Sequence, residues 1–499
     1  MSAGTRADEP GSGGVSRGRM ASWDTTPPGQ RITLCMIVRD EEAMLGQCLS
    51  SASRWVDEIV VVDTGSRDGT VAVAESYGAR VGHFAWCDDF AIARNASMSL
   101  ATGEWVLLLD ADESLEPSRA QFIRELVAEG RGPDNRPRAY TMVVRSETAH
   151  GVTDDLQIRL WQHGAGLEFA GRIHESLVAP TGSTIGVMPT NSVLVTHTGY
   201  KPAIMEARDK VRRNGAMLDA AIAADPDDAY LFYKHAQHLV TDADYAGAVG
   251  SAERALELSA SGHASRGALG GSNLADTYRT LIAAHLALSS VSAAVVAGER
   301  GTAACPDHPP LWTQFGLALL GSGAPDRALI AFQEARSRRD MPVVGAIDRG
   351  SAGWRALYGM GEAYLELKRP ADARASLAQA LIDAPSHPLI IRALAIAEEQ
   401  TGQVQTAYDR LDAAVRRIPG DVALRRALSG LLRRAGETTG AVNALAPLLD
   451  LADVPPEVYD DLADALEAAG SAEDGANARS IARLLREPPT DPVDEVSHA

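Results

Sequence analysis

The chain has 499 residues, too many for one ordinary hydrophobic core, so two or more domains are expected. With 45% apolar and 23% charged residues it has the composition of a folded protein rather than a disordered or fibrous one. A formal net charge of −19, from 66 acidic against 47 basic residues, argues against nucleic acid or an anionic membrane as partner, since both require concentrated Lys and Arg.

Residues 1–30 are rich in Gly, Ser and Pro and have no apolar h-region, which predicts a disordered leader rather than a signal peptide. No stretch reaches the ~18 consecutive apolar residues that span a membrane. Beyond the leader, ITLCMIV (32–38), EIVVVD (58–63) and WVLLLD (105–110) are short apolar runs ending in charge. Helical stretches around 41–53, 69–77 and 90–101 separate them, and that alternation predicts βαβ units with a parallel sheet. Ligands of such sheets sit at the carboxyl ends of the strands. Here those ends read Arg39-Asp40-Glu41-Glu42, Asp63, and Asp110-Ala111-Asp112.

The C-terminal half has another rhythm, rich in alanine. From Trp312, WTQFGLALLGSGAPDRALIAFQEA places Gly316, Ala328, Phe332 and Ala335 as two antiparallel helices need them, small residues at the contact and bulky ones beside it. The skeleton returns as Gly361, Tyr364, Ala373, Leu377, Ala380 and Pro385. It returns again, 34 residues on, as Ala395, Ala407, Leu411, Ala414 and Pro419. Further copies fall around Leu445 and around Ala463 and Ala482, and earlier ones at Ala236, Ala248 and Ala255, then at Ala294 with Pro306. About seven helix pairs are expected between 216 and 486, with loop insertions near 258–273 and 337–350 and a disordered acidic tail over 487–499. This pattern resembles the tetratricopeptide repeat family, whose solenoids present a concave binding surface.

Two carboxylates one residue apart after a buried strand, Asp110 and Asp112, can both reach a divalent cation at the sheet edge. Mg²⁺ or Mn²⁺ suits such oxygens together with phosphate oxygens of a substrate. The structural alternative is an acidic pair capping the next helix. Ser66 and Asp68 fit turn and cap positions, whereas Asp63 at the strand end is placed to accept hydrogen bonds from a base or ribose. Cys35, Cys48, Cys87 and Cys305 show neither a CxxC pair nor ligand-like spacing with histidine, which fits a reducing cytoplasm.

Four ordered blocks, LCMIVRDEEAMLGQCL, DEIVVVDTGSRDGT, DDFAIARNASMSLATGEWVLLLDADE and FAGRIHESL, resemble family-2 glycosyltransferases of the GT-A fold. Among them the chain is similar to the subgroup joined to tetratricopeptide repeats, which includes sublancin-type peptide S-glycosyltransferases. The resemblance implies an α/β, Rossmann-like nucleotide-sugar domain over 31–215 and a helical solenoid over 216–486. It implies nucleotide contacts from Val38, Arg39 and Glu41, recognition of uracil or ribose by Asp63, and a donor-side place for Arg94 and Asn95; Arg94 as an ordinary helix-surface arginine is the alternative. Asp110 and Asp112 match the metal-binding DxD, with Asp110 also on the donor side. RLWQHGAGLEFAGRIHESL (159–177) and VTHTGYKP (195–202) recur in the same subgroup.

Glu175, next to His174, is the candidate general base, because an inverting transfer needs a carboxylate beside the acceptor nucleophile. Asp154 or Asp155 is the alternative, since the ED pair of other family-2 enzymes is not evident. His197 is either a third metal ligand or a strand-end histidine held by backbone hydrogen bonds. Lys210, Arg213 and Asn214 are assigned to a helix joining the domains. The expected activity is transfer from a UDP-sugar, with UDP-glucose and UDP-N-acetylglucosamine equally open, to a peptide or protein acceptor held by the solenoid. A glycoside hydrolase needs no nucleotide contacts. A non-catalytic adaptor with a vestigial transferase domain is the competing reading, and the retained Asp63, Asp110 and Asp112 speak against it.

Overall fold

The computed structural model describes residues 27–130, 136–148, 151–180, 186–197, 204–262, 264–265, 267–339, 347–348 and 350–486. Most of the expected leader and all of the expected tail over 487–499 lie outside the described residues, as do residues 198–202 of the VTHTGYKP block. Two compact units divide the chain: Met1–Ala243 with Arg254–Leu269 and Val344–Ile347, and Asp244–Glu253 with Gly270–Val343 and Asp348–Ala499.

The first unit opens with β1 (Ile32–Val38), α1 (Glu42–Ala52), β2 (Glu58–Asp63), α2 (Thr70–Ser76), β3 (Arg80–His83), α3 (Phe90–Ser99) and β4 (Trp105–Leu108). It continues through β5 (Glu113–Leu115), α4 (Phe122–Ala128), β6 (Arg138–Thr148), β7 (Gly151–Gln162), β8 (Glu168–Ala170), β9 (Ser176–Val178), β10 (Gly186–His197), α5 (Ile204–Ala224) and α6 (Ala229–Thr241). Lys210, Arg213 and Asn214 all fall on α5.

The main sheet has the order β3-β2-β1-β4-β7-β6-β10-β5, and a short strand at Ile347–Asp348 also pairs with β7. Strands β3, β2, β1 and β4 are parallel. Beyond them β7 is antiparallel to β4 and to β6, β10 is parallel to β6, and β5 is antiparallel to β10. The sheet is therefore mixed, which corrects the parallel sheet expected from the apolar runs. Strands β1, β2 and β4 are covered on both faces and read as continuous apolar sequence, whereas the edge strand β3, RVGH, is not buried. Strands β6 and β7 carry Arg145, Asp154, Asp155 and Arg159 among their apolar residues, so no apolar run announces them.

Alternation along the strands sends side chains to two cores. Ile32, Leu34 and Met36 of β1 join Ile59, Val61, Trp105 and Leu107 beneath α1 and α4, while Cys35, Val60, Val106 and Leu108 meet Ala91 and Met98 of α3 on the other face. The four cysteines are free thiols, and burial pushes those of Cys35 and Cys48 well up, so they serve as small core residues.

After α7 (Tyr245–Ser261), the second unit runs through α8 (Gly271–Ala287), α9 (Val291–Ala304), α10 (Pro309–Gly321), α11 (Pro325–Ser337), α12 (Ala356–Glu366) and α13 (Pro370–Asp383). It ends with α14 (Pro388–Gln400), α15 (Val404–Arg417), α16 (Val422–Arg434), α17 (Thr438–Leu445), α18 (Pro456–Ala468) and α19 (Ala472–Arg486). Helices α13, α15, α17 and α19 start at 370, 404, 438 and 472, a spacing of 34 residues. The turn before each holds one left-handed residue: Lys368 (φ 58°), Gly402 (81°), Gly436 (85°) and Gly470 (88°), with Ser289 and Gly323 marking earlier copies. This is a tetratricopeptide solenoid by period and by turn. Its packing rests on small residues: the Phe332 ring of α11 lies so close to Gly316 of α10 and Gly359 of α12 that a Cβ there would stand 2.6 and 2.3 Å from ring carbons.

Candidate active site

Strands β1, β2, β4, β6 and β10 bring their carboxyl ends, and β5 its start, to one edge of the sheet. At the first two ends the loops are laced together. Asp40, at φ 54°, accepts from the Arg67 amide at 2.7 Å, and its own amide donates to Ser66 Oγ at 2.9 Å. The Glu41 amide donates to Thr70 Oγ1, that of Glu42 donates to Asp68, and the Gly69 amide donates back to Glu42. Ser66 and Asp68 thus do turn work. Val38 pairs with Asp63 across the parallel ladder and is buried, while Arg39 beside it is exposed. Asp63 is buried too; its carboxylate accepts the amides of Gly65 and Ser66 at 3.1 Å each, and His83 Nδ1 lies 3.7 Å away.

Past β4 the chain turns through Asp110, Ala111 and Asp112 into β5. Two buried arginines grip this turn. Arg94 of α3 donates from Nη2 to Asp110 Oδ1 at 3.0 Å and from Nε to Glu175 Oε1 at 2.5 Å. Arg159 of β7 donates to Glu113 Oε1 at 2.6 Å and stands 3.9 Å from Asp110 Oδ2. The β6–β7 register steps from Tyr140↔Leu160 to Thr141↔Ile158, so Arg159 is the extra residue of a β-bulge, a device that re-aims a side chain. Glu113 Oε2 also accepts the Asp110 amide. Burial alone would raise the Asp110 carboxyl, but the adjacent Arg94 and Arg159 charges prevail and hold it at about 2. Glu113, with 3% exposure, is pushed up by burial against the pull of Arg159.

His197, the last residue of β10, pairs in register with Glu113 of β5 and Ser146 of β6. Its Nε2 donates to Asp112 Oδ2 at 3.0 Å, and Nδ1 lies 3.1 Å from Ser146 Oγ. The hydrogen bond to Asp112 raises the imidazole above its ordinary value, and burial opposes the rise. His174 takes φ 53° after β8; desolvation, with the charges of Lys234 and His238 on α6, pushes its imidazole down to about 4. Asn95 uses its whole amide to clamp Phe169, donating to the carbonyl at 2.9 Å and accepting the amide at 2.8 Å. Asp154 is tied to Arg145 by two hydrogen bonds at 2.7 and 2.9 Å, and Asp155 accepts from Gln157. Glu175 is the carboxylate joined to the Asp110 cluster.

Among the described residues, no three His, Cys, Asp or Glu side chains are grouped closely enough to hold a metal ion as they stand. Asp112 and His197 are in contact, while Asp110 turns to Arg94. Two carboxylates with one imidazole are nonetheless donors suited to Mg²⁺ or Mn²⁺, and the Asp110 side chain, 37% exposed, is reachable.

Residues 33–131 match the family model described as Glycosyl transferase family 2. This segment is a family-2 glycosyltransferase domain. The chain is 38% identical over 224 residues to a TPR repeat-containing protein of Synechococcus elongatus, across 43% of this chain and 53% of that one. It is 27% identical over 210 residues to the SPbeta prophage-derived glycosyltransferase SunS of Bacillus subtilis, covering 40% and 48% respectively. A 28% identity over 216 residues links it to the lipopolysaccharide core biosynthesis glycosyltransferase LpsC of Rhizobium meliloti, covering 42% of this chain and 77% of LpsC. The chain spans about half the length of the first two of these relatives.

Three contributors to this sheet edge carry no role in the sequence reading: Glu113, Ser146 and Arg159. Glu113 follows the DxD directly and looks like one more surface acid. Arg159 opens the segment RLWQH, yet only the bulge shows where its charge goes.

Proposed function

We propose that the chain is an inverting glycosyltransferase that moves a sugar from a uridine diphosphate donor to a peptide or protein side chain. The observation that carries this reading is the gathering of Asp63, Asp110, Asp112 and His197 at one sheet edge, beside two arginines that keep Asp110 ionised. Val38, Arg39 and Glu41 line the adjoining strand end, where a nucleotide of an open α/β sheet binds. Asp110, Asp112 and His197 would hold Mg²⁺ or Mn²⁺, which when bound neutralises charge on a departing diphosphate. The acceptor heteroatom attacks the anomeric carbon while the bond from that carbon to the diphosphate oxygen breaks. Glu175 takes the acceptor's proton, with His174 beside it, and UDP leaves with the bonding electron pair.

The solenoid is the natural surface for a polypeptide acceptor. The likeness to LpsC favours a second acceptor class, a lipopolysaccharide core. No helix among the described residues is long and apolar enough to cross a membrane, and the free cysteines suit a reducing compartment, which we take to be the cytoplasm. Calorimetric titration of UDP with and without Mn²⁺ tests the donor reading. Metal-dependent binding that disappears in Asp110→Ala is expected; no binding under either condition moves the adaptor reading to first place.

A further inference from the structure

Arg94 stands between the two carboxylates on which the proposed chemistry depends. Its side chain is 11% exposed and that of Glu175 12%, so their ion pair is shielded from solvent. Nη2 serves Asp110 and Nε serves Glu175, while the third nitrogen, Nη1, is buried without a hydrogen-bond partner. An unmade hydrogen bond on a buried donor is unfavourable, so the guanidinium is held here by its two carboxylates and not by a complete set of partners. The Phe169 ring, 5.7 Å from the guanidinium carbon, closes one side. Because Arg does not deprotonate, its one charge is divided between an acid at the donor end and an acid at the acceptor end.

We propose that Arg94 is a positioning residue that couples occupancy of the donor site at Asp110 to the placement of Glu175. The coupling rests on the donor reading above. Without a donor, Asp110 and Glu175 share one guanidinium, each through its own nitrogen. When Asp110 is drawn to the cation of a nucleoside diphosphate, Glu175 becomes the remaining anionic partner of Arg94 and is held more firmly. The base is then set only after the donor has entered, which favours an order of donor first and acceptor second. Coupling of this kind is reciprocal. Removing the charge of Glu175 leaves Arg94 wholly to Asp110 and makes that carboxylate harder to recruit.

The test is a double-variant cycle on the full chain, with UDP and Mn²⁺ as probes and calorimetry as readout, so that no acceptor is needed. Glu175→Gln is expected to weaken Mn²⁺-dependent UDP binding about fivefold or more, the lower range of measured couplings. In an Arg94→Gln background the same change should leave affinity within about twofold, below the range of a genuine coupling. Equal factors in both backgrounds, or no effect of Glu175→Gln on its own, would overturn the coupling while leaving the donor site intact. If Arg94→Gln does not fold by circular dichroism, Arg94→Lys answers the same question, because an ammonium retains charge but lacks the two-pronged fork. Absence of any Mn²⁺-dependent UDP binding in the unaltered chain defeats the donor reading first, and the coupling with it.

Discussion

The strand-edge site and the helical solenoid solve opposite packing problems. At the edge, charged groups from distant parts of the chain are gathered and shielded, and each is held by another: Arg94 by Asp110 and Glu175, Arg159 by Glu113, His197 by Asp112. In the solenoid, helices approach because side chains are absent, as where Phe332 fills the space over Gly316 and Gly359. One region is specified by partners that must all be present. The other is specified by small residues repeated at 34-residue intervals, and so by local sequence. A single substitution should therefore act differently in the two regions, through an uncompensated charge in the first and through overcrowding in the second.

The largest effect is expected from Arg159→Ala, which leaves Glu113 buried without its cation. Loss of one member of a buried pair destabilises by about 3–5 kcal/mol, and chemical denaturation should show a loss of that size. A change near zero would mean that water reaches Glu113 and the edge is less shielded than its geometry implies. In the solenoid, Gly359→Ala would set a Cβ 2.3 Å from Phe332 Cζ. Overpacking of that kind costs about 1–3 kcal/mol, visible as a lowered Tm.

Smaller still is the turn. Lys368 holds the left-handed place that Gly402, Gly436 and Gly470 fill in the following copies. Lys368→Gly should gain about 0.5–1 kcal/mol, the left-handed penalty of a non-glycine residue less the entropy that glycine loses. A loss instead would show that the Lys368 side chain supplies contacts which outweigh backbone strain.

The gentlest probe is pH. His197 is raised in the folded state, first by its hydrogen bond to Asp112 and against burial. Its contribution to stability is then complete below the unfolded value near 6.5 and fades as pH rises through the folded one. Asp110, depressed to about 2, works in the other direction: its contribution stands above the unfolded value of 3.8 and is lost as pH falls through about 2. NMR titration of His197 in Asp112→Asn should bring its midpoint down; an unmoved midpoint would assign the shift to Glu113 and Asp110 instead.

Much of this architecture is legible before folding. β1 and β2 occupy the ranges of their apolar runs, and α1, α2 and α3 fall within the helical stretches between them. That is so because strands buried on both faces need unbroken apolar sequence. The long strands β6 and β7 are not legible in that way, since their charges are satisfied by cross-strand and cross-sheet partners such as Arg145 with Asp154. In β10 the apolar pattern is broken by Pro189, Thr190, Asn191 and Ser192. Asp110, Asp112 and His197 stand out as acids and a histidine at strand ends. Arg159 does not, because its contribution depends on a bulge, and a bulge is set by strand pairing rather than by residue type.

The sequence by itself determined the succession of a family-2 glycosyltransferase domain and a repeat solenoid, the strand-end positions of its acids, and the 34-residue turn. These are periodic or contiguous features, and local hydrophobic pattern and turn chemistry are enough to write them. Only the tertiary structure decided which acid meets which base. Arg94 lies 16 residues from Asp110 and 81 from Glu175 along the chain, yet it joins the two. Ion pairing depends on distance in space and on the exclusion of water, and neither exists until the sheet has closed around the charges.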